Sequence, residues 1–182
     1  FVFKRTYNSR STDNDVLGKG WTHSFNQSLK FVGEAGSKPT DIVWTTSDGG
    51  KRYIKLSETV QLTGDGALNL TASDTTIPDG FYFTLTRPHT SGNRAEFVLA
   101  EKSGIVYRFQ AIKGTGGQKA KLVSVTDRNG NALTLKYLNA PDGRLNTVSD
   151  PDGRVIQFRY AGASARVASI ETLWTGDTYR YD

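Results

Sequence analysis

Two segments of the chain repeat each other at a fixed offset of 23 residues, and this repetition limits the possible folds more than any other feature. The stretch "TDRNGNALTLKY" (126–137) aligns with "SDPDGRVIQFRY" (149–160). A weaker third copy follows in "RVASI" (166–170) and "TYRYD" (178–182). Self-similarity at a fixed period is typical of stacked architectures, in which each unit buries its apolar face only against its neighbours. We therefore expect equivalent units lying side by side in one sheet.

Each unit is predicted to contain two strands and two turns. Apolar and polar side chains alternate along the second half of each copy, which is the period of a half-buried strand. Gly tolerates positive φ, and an Asp side chain can hydrogen-bond nearby backbone amides, so these residues mark the turns. The side chains expected to share one face of the sheet are Leu133, Leu135 and Tyr137 in one copy, and Ile156, Phe158 and Tyr160 in the other. The predicted turn residues are Gly130, Gly143, Asp150 and Gly153.

The same alternation recurs along most of the chain and predicts an all-β fold of repeated antiparallel hairpins in a large curved sheet. Gly is abundant at 19 residues and aromatics reach 11%, as expected for many strands joined by tight turns. The nearest helical candidate, "SARVASIETL" (164–173), reads equally well as a strand. We divide the chain into an N-terminal β region (1–100) and the repeats (101–182).

Charge and composition exclude several kinds of site and leave others open. The net charge of +5 would allow a nucleic-acid partner, but Lys and Arg are spread singly at alternate strand positions, which favours a solvated sheet face over a nucleic-acid site. No apolar run approaches the ~20 residues that span a bilayer. There is no Cys, which excludes disulfides and thiolate chemistry. The absence of Met, even at position 1, suggests a segment of a longer product.

Histidine and glycine patterns do not support catalysis or a cofactor. The chain has two histidines, and we interpret His23 as a satisfied structural residue and place His89 in a loop. Two distant histidines without Cys do not form a zinc site. The glycine run at 114–117 precedes no helix and reads as a hairpin tip rather than a phosphate loop. We therefore expect a protein that is not an enzyme and has no cofactor.

The repeat and the N-terminal stretch together resemble the Rhs/YD-repeat family. The pattern G-R-L-x-x-V-x-D-x-x-G-R-x-x-x-x-x-Y at 143–160 is similar to a YD repeat, and Tyr181-Asp182 is the dipeptide that names it. The stretch "FKRTYNSRSTDNDVLGKGWTHSFNQSL" (3–29) resembles the segment that precedes the repeats in bacterial Rhs proteins. The two regions cover about half of the chain, while residues 57–100 show only a general hairpin pattern.

This resemblance implies a structural role outside the cytoplasm. Repeats of Rhs-like proteins form a β-sheet that winds into a hollow shell, which in polymorphic toxins encloses a variable C-terminal effector domain. The implied partners are the rest of that shell and its effector domain, with a secretion-system spike or surface glycans as further candidates. The implied location is secreted or on the bacterial cell surface. In isolation the last strand would be an unpaired edge, so we expect it to pair with another chain or to be covered by a loop.

The stretch Asp150-Pro151-Asp152-Gly153 is the strongest candidate for chemistry, and we interpret it as a turn. Rhs proteins carry an autoproteolytic Asp-Pro motif, but theirs lies near the far end of the shell, whereas this one aligns with an ordinary repeat turn. The spacing of its two aspartates is also that of the first Ca²⁺ ligands of a twelve-residue loop, yet the last position of such a loop is Ala161.

Carbohydrate binding is the alternative function. A β-sheet module with outward-facing aromatic side chains can stack sugar rings against them. The candidates, provided that they face outward, are Trp44, Trp174 and Tyr179.

Overall fold

The computed structural model describes residues 2–33, 39–58, 60, 70–87, 96–111, 119–138, 143–162 and 166–181. These residues form seventeen strands and one turn of 3-10 helix at Ala72–Asp74. All the strand pairs among them are antiparallel, which confirms the all-β prediction. In these ranges nothing helical is long and apolar enough to cross a membrane.

The first eight strands lie before residue 80. They are β1 (Arg5–Tyr7), β2 (Asn14–Asp15), β3 (Gly18–Lys19), β4 (Trp21–His23), β5 (Ser28–Val32), β6 (Asp41–Thr45), β7 (Lys51–Leu56) and β8 (Thr75–Thr76). Strands β1 and β4 form one small two-stranded sheet, and β2 and β3 form another. Strands β5 to β8 belong to the large sheet.

The remaining strands all belong to the large sheet, which has thirteen strands. They are β9 (Phe83–Thr86), β10 (Glu96–Glu101), β11 (Val106–Ala111), β12 (Lys119–Thr126), β13 (Ala132–Tyr137), β14 (Leu145–Ser149), β15 (Val155–Tyr160), β16 (Val167–Thr172) and β17 (Thr178–Arg180). The segment that read as either helix or strand is therefore a strand, β16. The β10–β11 hairpin crosses the boundary predicted at residue 100, and that boundary stays a prediction.

Strand β12 is the branch point of the large sheet. One of its edges pairs with β11 along most of its length. Its other edge is shared, since residues 119–121 pair with β5 and residues 124–126 pair with β13. Two arms therefore leave the same edge: β5 to β8 form one arm and β13 to β17 form the other.

The two clear repeat copies are equivalent hairpin units in one continuous sheet, as predicted. Strands β13 and β15 both pair antiparallel with β14. The expected face is the inner one, because Leu135, Ile156 and Phe158 are buried while Leu133, Tyr137 and Tyr160 pack against the core. The intervening Lys136 and Arg159 are exposed, as the alternation predicts.

A single apolar core joins the two arms and the β9–β11 strands. Its fully buried members include Leu29 and Ile54 from one arm, Leu99 and Phe109 from β10 and β11, and Val148 from the other arm. Burying this many large side chains is the main favourable contribution to the fold, at roughly 1.5–3 kcal/mol for each one.

The repeat arm ends in an exposed strand. All three residues of β17 are exposed, and its pairing partner on the inner side is β16. An edge strand of this kind presents unpaired backbone groups. Whether another chain pairs there stays a prediction.

Candidate functional site

The repeat unit is held together by a tyrosine that hydrogen-bonds back along the sheet. The Tyr137 hydroxyl donates to the Leu122 carbonyl at 2.7 Å, and the Tyr160 hydroxyl donates to the Leu145 carbonyl at 2.8 Å. The two bonds are related by the 23-residue offset of the sequence repeat. Burial raises the pKa of the Tyr137 hydroxyl, with smaller effects from Tyr160 and Asp15, so this donor keeps its proton at neutral pH.

A cation accompanies each of these tyrosines at the same offset. The Lys121 ammonium lies 5.4 Å from the centre of the Tyr137 ring, and the Arg144 guanidinium lies 4.9 Å from that of Tyr160. Such contacts stabilise by about 0.5–2 kcal/mol. The residue type changes between copies but the charge and position do not.

A β-bulge recurs opposite the last residue of each repeat copy. The pairing register shifts between Lys136 and Tyr137, which leaves Asn146 as an extra residue in β14. It shifts again between Arg159 and Tyr160, which leaves Ala168 as an extra residue in β16. A bulge bends its strand and increases the local twist, so the repeats share a built-in bend as well as a sequence.

The carboxylate of Asp150 is hydrogen-bonded within its own turn. One carboxylate oxygen accepts the backbone amides of Asp152 at 3.1 Å and Arg154 at 2.9 Å, and the other accepts the Arg154 side chain at 2.6 Å. Although burial acts to raise the pKa of Asp150, these hydrogen bonds hold it below its ordinary value. Gly153 closes the turn at φ +79°. In the part of the chain that the structure describes, no three acidic or histidine side chains are placed to hold a metal ion.

The same turn geometry occurs in three other hairpins. In the turns at 46–50, 101–105 and 127–131, the first amide donates to the fifth carbonyl and the fourth amide donates to the first carbonyl, as at 150–154. The fourth residue is a glycine with positive φ in each case. This is the geometry of a three-residue hairpin loop that ends in a glycine bulge.

The N-terminal segment, residues 2–27, packs onto the repeat arm. The Phe3 ring lies 5.8 Å from the Phe158 ring in β15, measured between centroids. The Val167 amide of β16 donates to the Val16 carbonyl at 2.9 Å. Further contacts join Arg166 to Asn14 at 3.0 Å and place the Arg5 guanidinium 5.1 Å from the Tyr181 ring.

A small cavity, here called the inner cavity, lies where the N-terminal segment meets β12 and the loop before β14. Its volume is about 140 Å³. The N-terminal segment contributes Asp15 and His23 to its lining, and the repeat side contributes Lys119, Lys121 and Arg144.

His23 is the buried polar residue of this cavity. Its ring packs against those of Phe3 at 5.6 Å and Phe158 at 5.5 Å. Burial lowers the pKa of His23 from 6.5 to about 4, against a smaller opposite effect of Asp15. Among the described residues Nδ1 has no hydrogen-bond partner, so the expectation of a satisfied histidine stays a prediction for this atom. The ring itself is packed against aromatic neighbours.

An open groove, here called the outer groove, adjoins the inner cavity. It has a volume of about 660 Å³ and is lined by Trp21 and Tyr53 among polar residues. An ion pair of 2.9 Å joins Lys51 to Asp13 in its wall. The groove and the inner cavity share part of their lining, including Asp15 and Lys119.

The three carbohydrate-binding candidates are in different environments. Trp44 does not face outward: it is 6% exposed, packs in the core, and its indole N–H donates to Gln27 at 3.2 Å. Its ring is therefore not available to a sugar. Trp174 and Tyr179 are exposed, by 44% and 57%. Both belong to the β16–β17 hairpin.

Sequence reasoning missed the residues that line the groove and the cavity. Trp21 and His23 lie in the stretch that resembles the Rhs segment, which gives neither a role at a cavity, and Tyr53 lies in one of the many stretches that alternate. The sequence carries one signal for these residues. In "GWTHSFNQS" (20–28), polar and aromatic residues lie close together without the simple alternation of a strand.

Comparison with known proteins identifies one segment of the chain. Residues 1–53 match a family model described as "Domain of unknown function (DUF6531)". The match therefore includes the whole N-terminal segment and strands β5 and β6. No curated protein matches the chain.

Proposed function

We propose that this chain is a structural segment of the β-sheet shell of an Rhs/YD-repeat protein, either a polymorphic toxin or a surface protein. In that role it encloses or presents a separate effector domain. The observation that carries the proposal is the recurrence of one hairpin unit with the same turn, bulge and tyrosine hydrogen bond at a 23-residue offset. The match to DUF6531 supports it, because such domains often occur in Rhs-type proteins.

The proposed role is mechanical rather than catalytic. Side chains alternate between the two faces of each strand, so one face can pack inward while the other carries charges such as Lys136 and Arg159. Further units would add to the exposed strand β17, where backbone groups are available for pairing. The rest of the shell and the effector domain are the proposed partners, with a secretion-system spike or surface glycans as further ones. The proposed location is secreted or on the bacterial cell surface.

Protease protection of the effector domain in the parent protein tests this role. We expect trypsin to leave the effector domain intact under native conditions and to cleave it once the sheet is weakened by Phe158→Ala, which removes a buried ring. The matched control is Tyr53→Ala, since Tyr53 is 61% exposed. Equal cleavage in the wild-type parent and the Phe158→Ala variant would contradict a containing shell, as would a parent protein without further repeat units.

A cell-surface carbohydrate-binding module is the second candidate function. The observation that favours it is the exposure of Trp174 and Tyr179 on one hairpin. A glycan array with the wild-type protein and Trp174→Ala is the test. Binding that the substitution abolishes would support this function, and a wild-type protein that binds no glycan would set it aside.

A further inference from the structure

The outer groove lies between one face of the large sheet and the N-terminal segment. Its floor is the face of β5 to β7 opposite the core, where Tyr53 pairs with Val43 and Val43 pairs with Lys30 across neighbouring strands. Its wall comes from residues 8–26, which the Lys51–Asp13 ion pair joins to the floor. Every described lining residue except the one at position 119 falls within residues 1–53, so the groove belongs to the segment matched by DUF6531.

Two exposed aromatic rings line this groove. Tyr53 is 61% exposed on the floor, and Trp21 is 37% exposed on the wall. The Trp21 ring is held in place by the Tyr7 ring at 5.1 Å and the Arg5 guanidinium at 5.4 Å. Because this ring is positioned before a ligand arrives, little conformational entropy is lost on binding. An aromatic ring that is held in place yet exposed in a groove can stack on a ligand with an apolar face.

The charges of the groove lining balance one another. Three lysines and three aspartates line the groove, and Lys51 and Asp13 form an ion pair with each other. The carboxylates of Asp15 and Asp48 accept hydrogen bonds from a side-chain amide and a backbone amide of the protein. A lining without net charge gives neither an anion nor a cation a general attraction, which favours a neutral ligand.

Most of the other lining side chains can both donate and accept hydrogen bonds. Among them are Asn8, Ser11, Asn14, Thr22, Asn26 and Thr45. The hydroxyls of a sugar are also donors and acceptors, and the C–H face of a sugar ring can stack on an aromatic ring. At about 30 Å³ per water molecule, the groove volume of 660 Å³ corresponds to about 22 waters, close to the roughly 23 non-hydrogen atoms of a disaccharide.

We propose that the outer groove binds a neutral saccharide the size of a disaccharide, stacked on Trp21 and Tyr53 and hydrogen-bonded by the polar side chains of the lining. The site shares its ligand class with the second candidate function but not its residues, since none of the described lining residues belongs to the β16–β17 hairpin. The proposal is independent of the shell function, because it concerns a ligand of the N-terminal half of the chain itself.

¹⁹F NMR of the wild-type protein labelled with 5-fluorotryptophan is the first test, with Trp21→Phe and Trp174→Phe used to assign the resonances. The probes are cellobiose, maltose, lactose and diacetylchitobiose, with digalacturonic acid as the acidic comparison. We expect at least one neutral disaccharide to shift the Trp21 resonance saturably and to leave those of Trp44 and Trp174 in place. A Trp21 resonance that no neutral disaccharide shifts would overturn the proposal, as would tighter binding of digalacturonic acid than of all four. A shift of Trp174 alone would also overturn it, in favour of the second candidate function.

Titration calorimetry with the disaccharide that binds best is the second test. We expect Tyr53→Ala to raise Kd about three- to tenfold, because one stacking ring is lost. Since Tyr53 is exposed, this variant should keep the Tm of the wild type, which shows that the fold is intact. The matched control is Trp174→Ala, an exposed ring outside the groove, which should bind like the wild type. An unchanged Kd in Tyr53→Ala, or an equal loss of affinity in Trp174→Ala, would contradict a site in this groove.

Discussion

The tyrosine of each repeat joins its strand to the neighbouring strand through a single hydroxyl group. Tyr137 and Tyr160 occupy the same place in successive units, and both hydroxyls bond to a carbonyl at the bulge. The β12–β13 pairing ends at Ser124 and the β14–β15 pairing ends at Thr147, so each carbonyl lies beyond the last paired residue of its ladder. The hydroxyl therefore supplies a donor where the regular pairing has ended.

Removing these hydroxyls should weaken the fold without changing it. We expect Tyr137→Phe and Tyr160→Phe each to lower the free energy of unfolding by about 1 kcal/mol, because each leaves a carbonyl without its donor. Urea denaturation followed by circular dichroism measures this. Tyr53→Phe is the control, since its side chain is exposed, and a loss of the same size there would mean that the repeat hydroxyls have no special role.

His23 should make the stability depend on pH. The native state holds His23 neutral, with a pKa of about 4 against 6.5 in the unfolded chain. The unfolded chain therefore binds the proton more tightly, and the stabilisation is present in full above pH 6.5 and is lost as pH falls through about 4. The difference in pKa corresponds to about 3 kcal/mol.

Urea midpoints between pH 7 and pH 4, measured in chloride, test this expectation. We expect stability to fall over this range in the wild type and in His89→Gln, and to fall much less in His23→Gln. An unchanged pH dependence in His23→Gln would assign the effect to other groups. The carboxylate of Asp150 should act separately, since its lowered pKa places its loss of stabilisation below pH 3.8.

At the scale of the element, one hairpin turn recurs with almost no sequence in common. The loops read "TSDGG" (46–50), "EKSGI" (101–105), "DRNGN" (127–131) and "DPDGR" (150–154), and the fourth position alone is constant. Its glycine has a φ between +79° and +89°. The positive φ of this glycine is the constant feature of the turn, and in each loop a side-chain oxygen at the first or third position also accepts the fifth amide.

Substitution of Gly153 tests this view. We expect Gly153→Ala to cost about 1–2 kcal/mol of stability, because an L-residue is strained at φ +79° although nothing lies within 4 Å of the added methyl group. Gly153→Asn should cost less, since Asn tolerates the left-handed region. Thermal unfolding of the two variants gives the comparison, and equal losses would contradict a purely conformational origin.

The strands could be predicted from the sequence, but which side chains of a strand are buried could not always be. Local alternation identified β13 and β15 with the correct inner face, because those strands are buried on one side. It could not place Trp44, because β6 has three consecutive buried residues, Ile42, Val43 and Trp44, and so is buried on both sides. A period of two carries no information in such a strand.

At the scale of the whole molecule, the least predictable feature is the contact between the N-terminal segment and the repeat arm. Val16 and Val167 are joined by a backbone hydrogen bond across about 150 residues. The branching of β12 is equally non-local, because β5 and β13 meet on one edge although 100 residues separate them. No local pattern encodes these pairings, and therefore the cavity they enclose was not predicted.

The contact between the N-terminal segment and the repeat arm should make the chain unfold as one unit. The three tryptophans, Trp21, Trp44 and Trp174, sample the N-terminal segment, the β5–β8 arm and the repeat arm. With 5-fluorotryptophan incorporated, we expect their three ¹⁹F resonances to lose intensity at one urea midpoint. Phe3→Leu should shift all three midpoints downward together, because Phe3 packs on Phe158. Separate midpoints for Trp21 and Trp174 would instead favour two units, divided as the boundary at residue 100 predicts.

The recurring bulges have a consequence for larger assemblies of such units. Asn146 and Ala168 interrupt the ladder at matching places, so deflections of the same sense would add along the sheet instead of cancelling. Each additional copy, with two strands about 4.8 Å apart, would widen the sheet by about 10 Å. The copy number would thereby set the circumference of any closed wall built from these hairpins, and hence the volume available for a cargo.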